Sequence, residues 1–315
     1  MAASIWPIAE PVVPMGKNRV GSESRQEARS RQSVVIVVVS NFPRFCDVFH
    51  KATRANQPEG LGNSGGNVLS GTAIVNEFLN IVSKSMKTLI VGHRGWPTRF
   101  PDNTLSGYYA AATVADAVEL DIRRSADGKL VVSHDPTLGG LEVASHDWAT
   151  LGEFDLGDGH RPVLLDEAIA ALPGTPIQFE IKNLPHQPGF EPDHRVALEA
   201  AARTRPGDIV TSFYWPTLVA VRREFPDVAT GALLDKSGNL PQAVAHCLDV
   251  GHVSVVPEQS MLNEDAMSVV SEAGLDSYTW TVNDPKRAIE LARLGVSGII
   301  TNDPGLMVET LRSTE

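Results

Sequence analysis

The chain of 315 residues has little cysteine, no long apolar run and a shortage of positive charge. Its two cysteines, Cys46 and Cys247, provide neither a disulfide framework nor zinc-ligand spacing. Such a composition fits a reducing compartment. The longest apolar run, Val34 to Val39, is far too short for a transmembrane helix, which needs roughly 20 residues. No charged-then-apolar signal peptide is present, so the expected location is cytoplasmic. Lys and Arg number 27 against 38 Asp and Glu, a net charge of −11. A nucleic-acid surface needs stripes of Lys and Arg, which this balance argues against. A phosphate-bearing small molecule stays possible, because a bound divalent cation can supply positive charge locally. There is also no glycine-rich phosphate loop of the G-x-G-x-x-G or P-loop kind, which leaves a doubly wound open sheet without support.

What is present divides at about residue 85. Residues 1–85 hold nine basic and six acidic residues, a net of +3, and the remainder carries −14. GKNRVGSESRQEARSRQS (16–33) is polar and aperiodic, and QPEGLGNSGGN (57–67) is rich in Gly and Asn. Such pieces bury too little apolar surface to fold, so a non-core, mostly disordered extension is expected, with one short helix near 73–84. Early Arg and Ser hint at targeting, but Glu10, Glu23 and Glu27 are wrong for a transit peptide. Met86 stands two residues before the first core segment and is a natural start for a domain over 86–315.

From residue 87 a regular alternation begins. Eight apolar, β-branched runs read as strands: LIVGH (89–93), AVELDI (117–122), IQFEI (177–181), IVTSF (209–213), ATGALL (229–234), HVSVVP (252–257), SYTWTV (277–282) and GIITN (298–302). Amphipathic stretches fall between them, at 104–115, 164–172, 193–204, 239–250, 263–274 and 284–295. Eight strand–helix units in about 225 residues predict an α/β fold of the (β/α)₈ TIM-barrel type. KLVVSH (129–134), after the turn Ala126-Asp127-Gly128, reads as an extra hairpin strand beside strand two.

In such a barrel the chemistry lies at the C-terminal strand ends. Those ends supply His93 and Arg94, Glu119 and Asp121, Glu180 and Lys182, Ser212 and Phe213, Trp280, and finally Thr301, Asn302 and Asp303; the hairpin adds His134 and Asp135. Residues two apart on a strand share a face, so Glu119 and Asp121 point together, as do Glu180 and Lys182. Three carboxylates at one mouth repel unless a cation joins them, and oxygen-only ligation favours Mg²⁺ or Ca²⁺ over zinc. An ion pair of Lys182 with Glu180 or Glu119 is the plainer account of any one of these pairs taken alone. His93 and His134 each close an apolar strand, where imidazole can give or take a proton near neutral pH. Arg94 offers a planar fork for phosphate oxygens, and Lys182 a point charge. The other histidines, at 50, 146, 160, 186, 194, 246 and 252, read as structural or solvent-facing.

The segments HRGWPTRFPDNT (93–104), ELDIRRSADGKLVVSHD (119–135), FEIK (179–182), SFYWPTL (212–218), TWTVN (279–283) and GIITNDP (298–304) resemble the glycerophosphodiester phosphodiesterase family, over roughly residues 87–312. The resemblance implies a metal-dependent hydrolase that cleaves glycerophosphodiesters to glycerol 3-phosphate and an alcohol. It implies His93 and His134 as the general acid/base pair and Glu119, Asp121 and Glu180 as ligands of one divalent cation. Arg94 and Lys182 would neutralise the phosphate. Phe213 and Trp280 look like aromatic walls of the mouth, with a barrel-core role as the alternative. The chain departs from the family pattern at Asp102, where the usual motif has Glu, in the loop 136–159, and at an added residue in Pro162–Glu167. These departures bear on headgroup preference more than on reaction type.

Two rivals stay open. A phospholipase-D-like relative acting on lysophospholipids or sphingolipids would share the histidines and the E-x-D pair. Those with a cysteine-tied loop need cysteines near 135–160, and this chain has none there. An inactive barrel used as a binding module predicts loss of a reactive residue, and none of the five central positions is lost. The oligomeric state is left open.

Overall fold

The computed structural model describes residues 87–312. The extension, its expected helix near 73–84, Met86 and His50 lie outside the described residues. The first strand, β1 (Leu89–His93), leads through α1 (Leu105–Ala112) to β2 (Ala117–Arg124). A hairpin strand β3 (Leu130–Val132) runs back antiparallel to β2. Then come the small pair β4 (Thr137–Leu138) and β5 (Leu141–Glu142), a single helical turn α2 (Trp148–Leu151) and β6 (Val163–Leu164), which pairs with β3. From α3 (Leu165–Ala171) onward strands and helices alternate strictly. They are β7 (Ile177–Ile181), α4 (Arg195–Ala201), β8 (Ile209–Ser212), α5 (Trp215–Glu224), β9 (Ala229–Leu234) and α6 (Leu240–Val250). The chain continues with β10 (Ser254–Pro257), α7 (Glu264–Glu272), β11 (Asp276–Thr279), α8 (Pro285–Arg293), β12 (Gly298–Thr301) and α9 (Pro304–Arg312).

Eight of these strands form a closed parallel ring in the order β1, β2, β7, β8, β9, β10, β11, β12, and β12 pairs back onto β1. This is the (β/α)₈ barrel expected, with β3 and β6 appended outside the ring beside β2. Ring strands are covered on both faces, so β2 and β7 are buried almost throughout. Alternation sorts their side chains. Ile90, Leu120, Phe179, Val210, Val255 and Ile299 face the helices and form the large core. Val91, Leu233, Val256 and Ile300 face inward and fill the barrel, with Phe213, Tyr278 and Trp280 packed against them. On β2 and β7 the inward positions include Glu119, Asp121 and Glu180, with Lys182 just past the end of β7, so the polar site is carved from one side of the interior.

Several boundaries differ from the sequence expectation for local reasons. β10 begins at Ser254 because α6 ends on Gly251 (φ 85°), and the His252 N–H then turns back onto the Cys247 carbonyl. β11 stops at Thr279, and Trp280 keeps a single bridge to Glu258. The helices α5 and α9 lack a clear sequence signal: α5 opens on Trp215-Pro216, which suits a first helical turn but carries no periodicity. Caps fix other helix starts, including Thr104 accepting from Gly107 N–H and Asn263 from Ala266 N–H. Among the described residues no helix is long and apolar enough to cross a membrane.

Candidate active site

Glu119, Asp121 and Glu180 are all buried and offer oxygens within 4.8 Å of one another. The parallel register explains this: Asp121 is opposite Glu180 on β7, and His93 is opposite Glu119 across the β1–β2 pair. Lys182 reaches down between them. Its Nζ lies 3.0 Å from Asp121 Oδ1 and in short contact with Glu180 Oε1. Arg94 covers the other flank, with Nε 3.1 Å from Asp121 Oδ2 and Nη1 donating to Asp102 at 2.9 Å. Arg94 holds a left-handed backbone (φ 53°), which turns its N–H onto Glu119 Oε2 at 3.0 Å.

The carboxylates are not equivalent. Burial, then the charges of Asp121 and Glu180, push Glu119 well above the usual carboxylate range. Burial would raise Asp121 too, but Lys182, Arg94, His134 and the Asn103 amide outweigh it and hold Asp121 well below that range. Lys182 stays firmly charged, because Glu180 and Asp121 more than offset its burial. Glu119 Oε1 is buried and accepts no hydrogen bond. Asp121 Oδ1 also lacks a well-directed hydrogen bond, although Lys182 Nζ is within ion-pair distance. Three carboxylates face two cations here, and one buried oxygen is left without a donor. That is the chemistry of an oxygen-donor site for a hard cation, and the residues fit one.

The histidines differ in setting. His93 Nδ1 is 2.6 Å from Asn302 Oδ1, and its Nε2 lies 3.9 Å from Glu119 Oε2. An amide oxygen only accepts, so Nδ1 carries the hydrogen and Nε2 is left as the basic nitrogen. Burial, with the Arg94 charge beside it, lowers His93 to about 4. His134 sits just past β3, more open, its side chain 42% exposed, with Nδ1 2.8 Å from Asp135 Oδ1. Both imidazoles lie within the field of Asp121. Phe213 and Trp280 meet edge to face, ring centroids 5.4 Å apart, and Lys182 Nζ lies 5.9 Å from the Phe213 ring. Both rings pack on the inner barrel cluster while remaining half-buried, so core and mouth are one place for them.

All nine residues singled out from the sequence, His93, His134, Glu119, Asp121, Glu180, Arg94, Lys182, Phe213 and Trp280, therefore belong to strand ends of this one mouth. Three contributors carried no role there. Asn103, also left-handed (φ 58°), donates Nδ2 to Asp121 Oδ2 at 3.1 Å and accepts from the Tyr108 hydroxyl at 2.8 Å. Asn302 was only a strand end. Arg123 was not singled out, though its place two residues past Asp121 on an inward face is a signal. Ser212 and Asp303 are structural: Ser212 donates to the Ile181 carbonyl, and Asp303 accepts from the Trp96 indole. Of the histidines read as structural, His252 is buried on Thr230 and His246 stacks on Trp215.

Residues 93–306 match the sequence profile of the Glycerophosphoryl diester phosphodiesterase family. A glycerophosphodiester phosphodiesterase of Bacillus subtilis (strain 168) is 26% identical over 249 residues, spanning 70% of this chain and 85% of the relative. The solved structure of a glycerophosphodiester phosphodiesterase from Thermotoga maritima superposes with a TM-score of 0.59 at 28% identity, covering 70% of this chain and 97% of that one. The same fold is seen in an Oleispira antarctica phosphodiesterase in complex with the product sn-glycerol-3-phosphate, with a TM-score of 0.65 at 21% identity over 73% of this chain and 99% of that one.

Proposed function

Because the chain belongs to the Glycerophosphoryl diester phosphodiesterase family and to that class of enzyme, we propose that it hydrolyses glycerophosphodiesters to sn-glycerol 3-phosphate and an alcohol, with a divalent cation and a histidine pair. The observation that carries this reading is the buried carboxylate triad with its unpartnered Glu119 oxygen. Glu119, Asp121 and Glu180 would hold the cation, Mg²⁺ or Ca²⁺ by the donor set. A cation held there would supply Lewis-acid stabilisation of the negative charge on a phosphate.

The chain's own residues do the rest. Arg94 and Lys182 hold positive charge at the mouth, where a phosphodiester would enter. His93, with its Nδ1 hydrogen engaged by Asn302, offers Nε2 for proton transfer. His134, with Nδ1 engaged by Asp135, offers Nε2 on the more open side. One imidazole takes the proton of the attacking oxygen, from water or from a neighbouring substrate hydroxyl. The other gives a proton to the departing alkoxide. After attack by water the two exchange protons with solvent to reset. After attack by a substrate hydroxyl, water opens the cyclic phosphodiester with the two roles reversed, which restores the pair. Phe213 and Trp280 wall the mouth on the β8 and β11 side and exclude water from it.

The test is hydrolysis of a panel including glycerophosphocholine and lysophosphatidylcholine, with Mg²⁺, Ca²⁺ or excess EDTA. Glycerophosphodiester cleavage that stops with EDTA is expected. Activity that survives EDTA removes the cation from the reading. Headgroup release from lysophosphatidylcholine alone would favour the lysophospholipid rival. Replacing His93 or His134 by Ala should cost on the order of 10²–10⁴-fold in turnover, and near-native rates would sink the proton-transfer pair.

A further inference from the structure

Arg123 follows Glu119 and Asp121 on the inward face of β2, and it is a buried charge with an unusual set of partners. Its side chain is 6% exposed, and among the described residues no carboxylate forms an ion pair with it. All its hydrogen bonds go to neutral acceptors. Nε and Nη2 both donate to the His134 carbonyl, at 3.0 and 2.7 Å. Nη2 also donates to Gln187 Oε1 at 2.8 Å, and Nη1 reaches the Lys182 carbonyl at 3.4 Å. One guanidinium thus ties the end of β3 to the end of β7 and to the loop that follows it.

Burying a guanidinium with no direct ion pair is costly, and burial pulls Arg123 below its ordinary basicity, only partly offset by the charges of Asp121, Asp135 and Glu180. What that arrangement secures is geometric. The two-pronged contact on a single carbonyl fixes the main chain of His134, and Asp135 then fixes the ring through Nδ1. Without the fork, His134 would sit on a segment past β3 with its ring 42% exposed and one carboxylate neighbour, itself 72% exposed. The other anchors here lie on the flanking residues: the Ser133 N–H donates to the Asp121 carbonyl and the Ser133 hydroxyl to the Asp135 carbonyl at 2.9 Å, while the fork alone holds the carbonyl of His134 itself.

We propose that Arg123 is a positioning residue for His134: it holds that imidazole in place and acts on the reaction through it. This rests on His134 transferring a proton, as argued above. A displacement of about 1 Å at a reacting group can cost roughly 100-fold in rate. Arg123→Gln should therefore lower kcat by about that order with KM within about twofold. Arg123→Lys, which can still reach one carbonyl, should recover part of the loss and keeps the test open if the Gln variant does not fold.

The deciding measurement is a double-mutant cycle with His134→Asn, using hydrolysis of glycerophosphocholine by the full chain. If Arg123 works through His134, replacing it in the His134→Asn background should change the residual rate by less than about twofold. The His134 ring nitrogen resonances should also shift in the Arg123 variants, whatever the activity. An equal loss in both backgrounds, a rise in KM with kcat unchanged, or unmoved His134 resonances would each overturn the proposal. If His134→Asn itself keeps native turnover, the histidine reading fails, and the ring resonances alone still report whether Arg123 places that side chain.

Discussion

His93 Nδ1 and Asn302 Oδ1 stand 2.6 Å apart although 209 positions separate them in the chain. The Asn302 main chain is itself held, its N–H donating to Asn283 Oδ1 at 2.9 Å. The pair selects which nitrogen of His93 faces the carboxylates. Asn302→Ala should release that choice and lower kcat by on the order of 10²-fold with little change in cation affinity. Steady-state kinetics beside calorimetric titration with Mg²⁺ or Ca²⁺ would check it. Equal kcat in the variant would separate His93 from its partner.

Glu119 gives a test that does not depend on turnover. Its ionised form suffers from burial and from Asp121 and Glu180, so without a cation Glu119→Gln should be at least as stable as the parent. A bound cation should raise the Tm of the parent and leave that of Glu119→Gln nearly unchanged. Thermal melts with and without excess Mg²⁺, Ca²⁺ or EDTA measure both effects.

A pH dependence of stability follows from His252, which is 3% exposed and packed beside His246. Burial, then His246 and Arg222, lower it from 6.5 to about 4. The unfolded chain therefore binds the extra proton first as pH falls. The associated stability is fully present above about pH 6.5 and is lost between there and about pH 4, roughly 3 kcal/mol in all. Denaturant unfolding at pH 7.5 and 4.5 should show the loss, and His252→Gln should reduce it.

The turn after β1 is sterically closed. Gly95 has φ 92°, and a Cβ there would lie 2.8 Å from the Gly107 carbonyl carbon. Gly95→Ala should destabilise by about 1–3 kcal/mol and disturb Arg94, whose own φ of 53° depends on that turn. Denaturation midpoints and KM for glycerophosphocholine test the two parts.

The ring of eight strands was legible because most of its strands are buried on both faces and so read as compact apolar runs. The triad was legible because a period of two carries Glu119 with Asp121 and Glu180 with Lys182. The segment 136–164 was not: its strands are two residues each, too short for any pattern to register. Asn103 and Asn302 escaped for a different reason. A neutral amide has no charge pattern, and its value comes from a partner across the barrel that no local spacing encodes. Arg123 lay in plain sight between Asp121 and the hairpin, but it is the first of two adjacent arginines and no charge pattern tells it apart from Arg124. In the fold Asp121 is matched by Arg94 and Lys182, and Arg123 holds carbonyls.

The ring closes where β12 meets β1, and the pairing runs Leu89 with Gly298 through Gly92 with Thr301. The first histidine of the site and the amide that orients it therefore lie on either side of that seam. During synthesis the carboxylates, both histidines and Lys182 all leave the ribosome long before residue 302 does. A nascent or C-terminally clipped chain could carry almost every reactive group and still lack the contact that sets His93. The onset of activity in refolding should then track the docking of the last strand, which makes catalysis a timer for closure of the barrel.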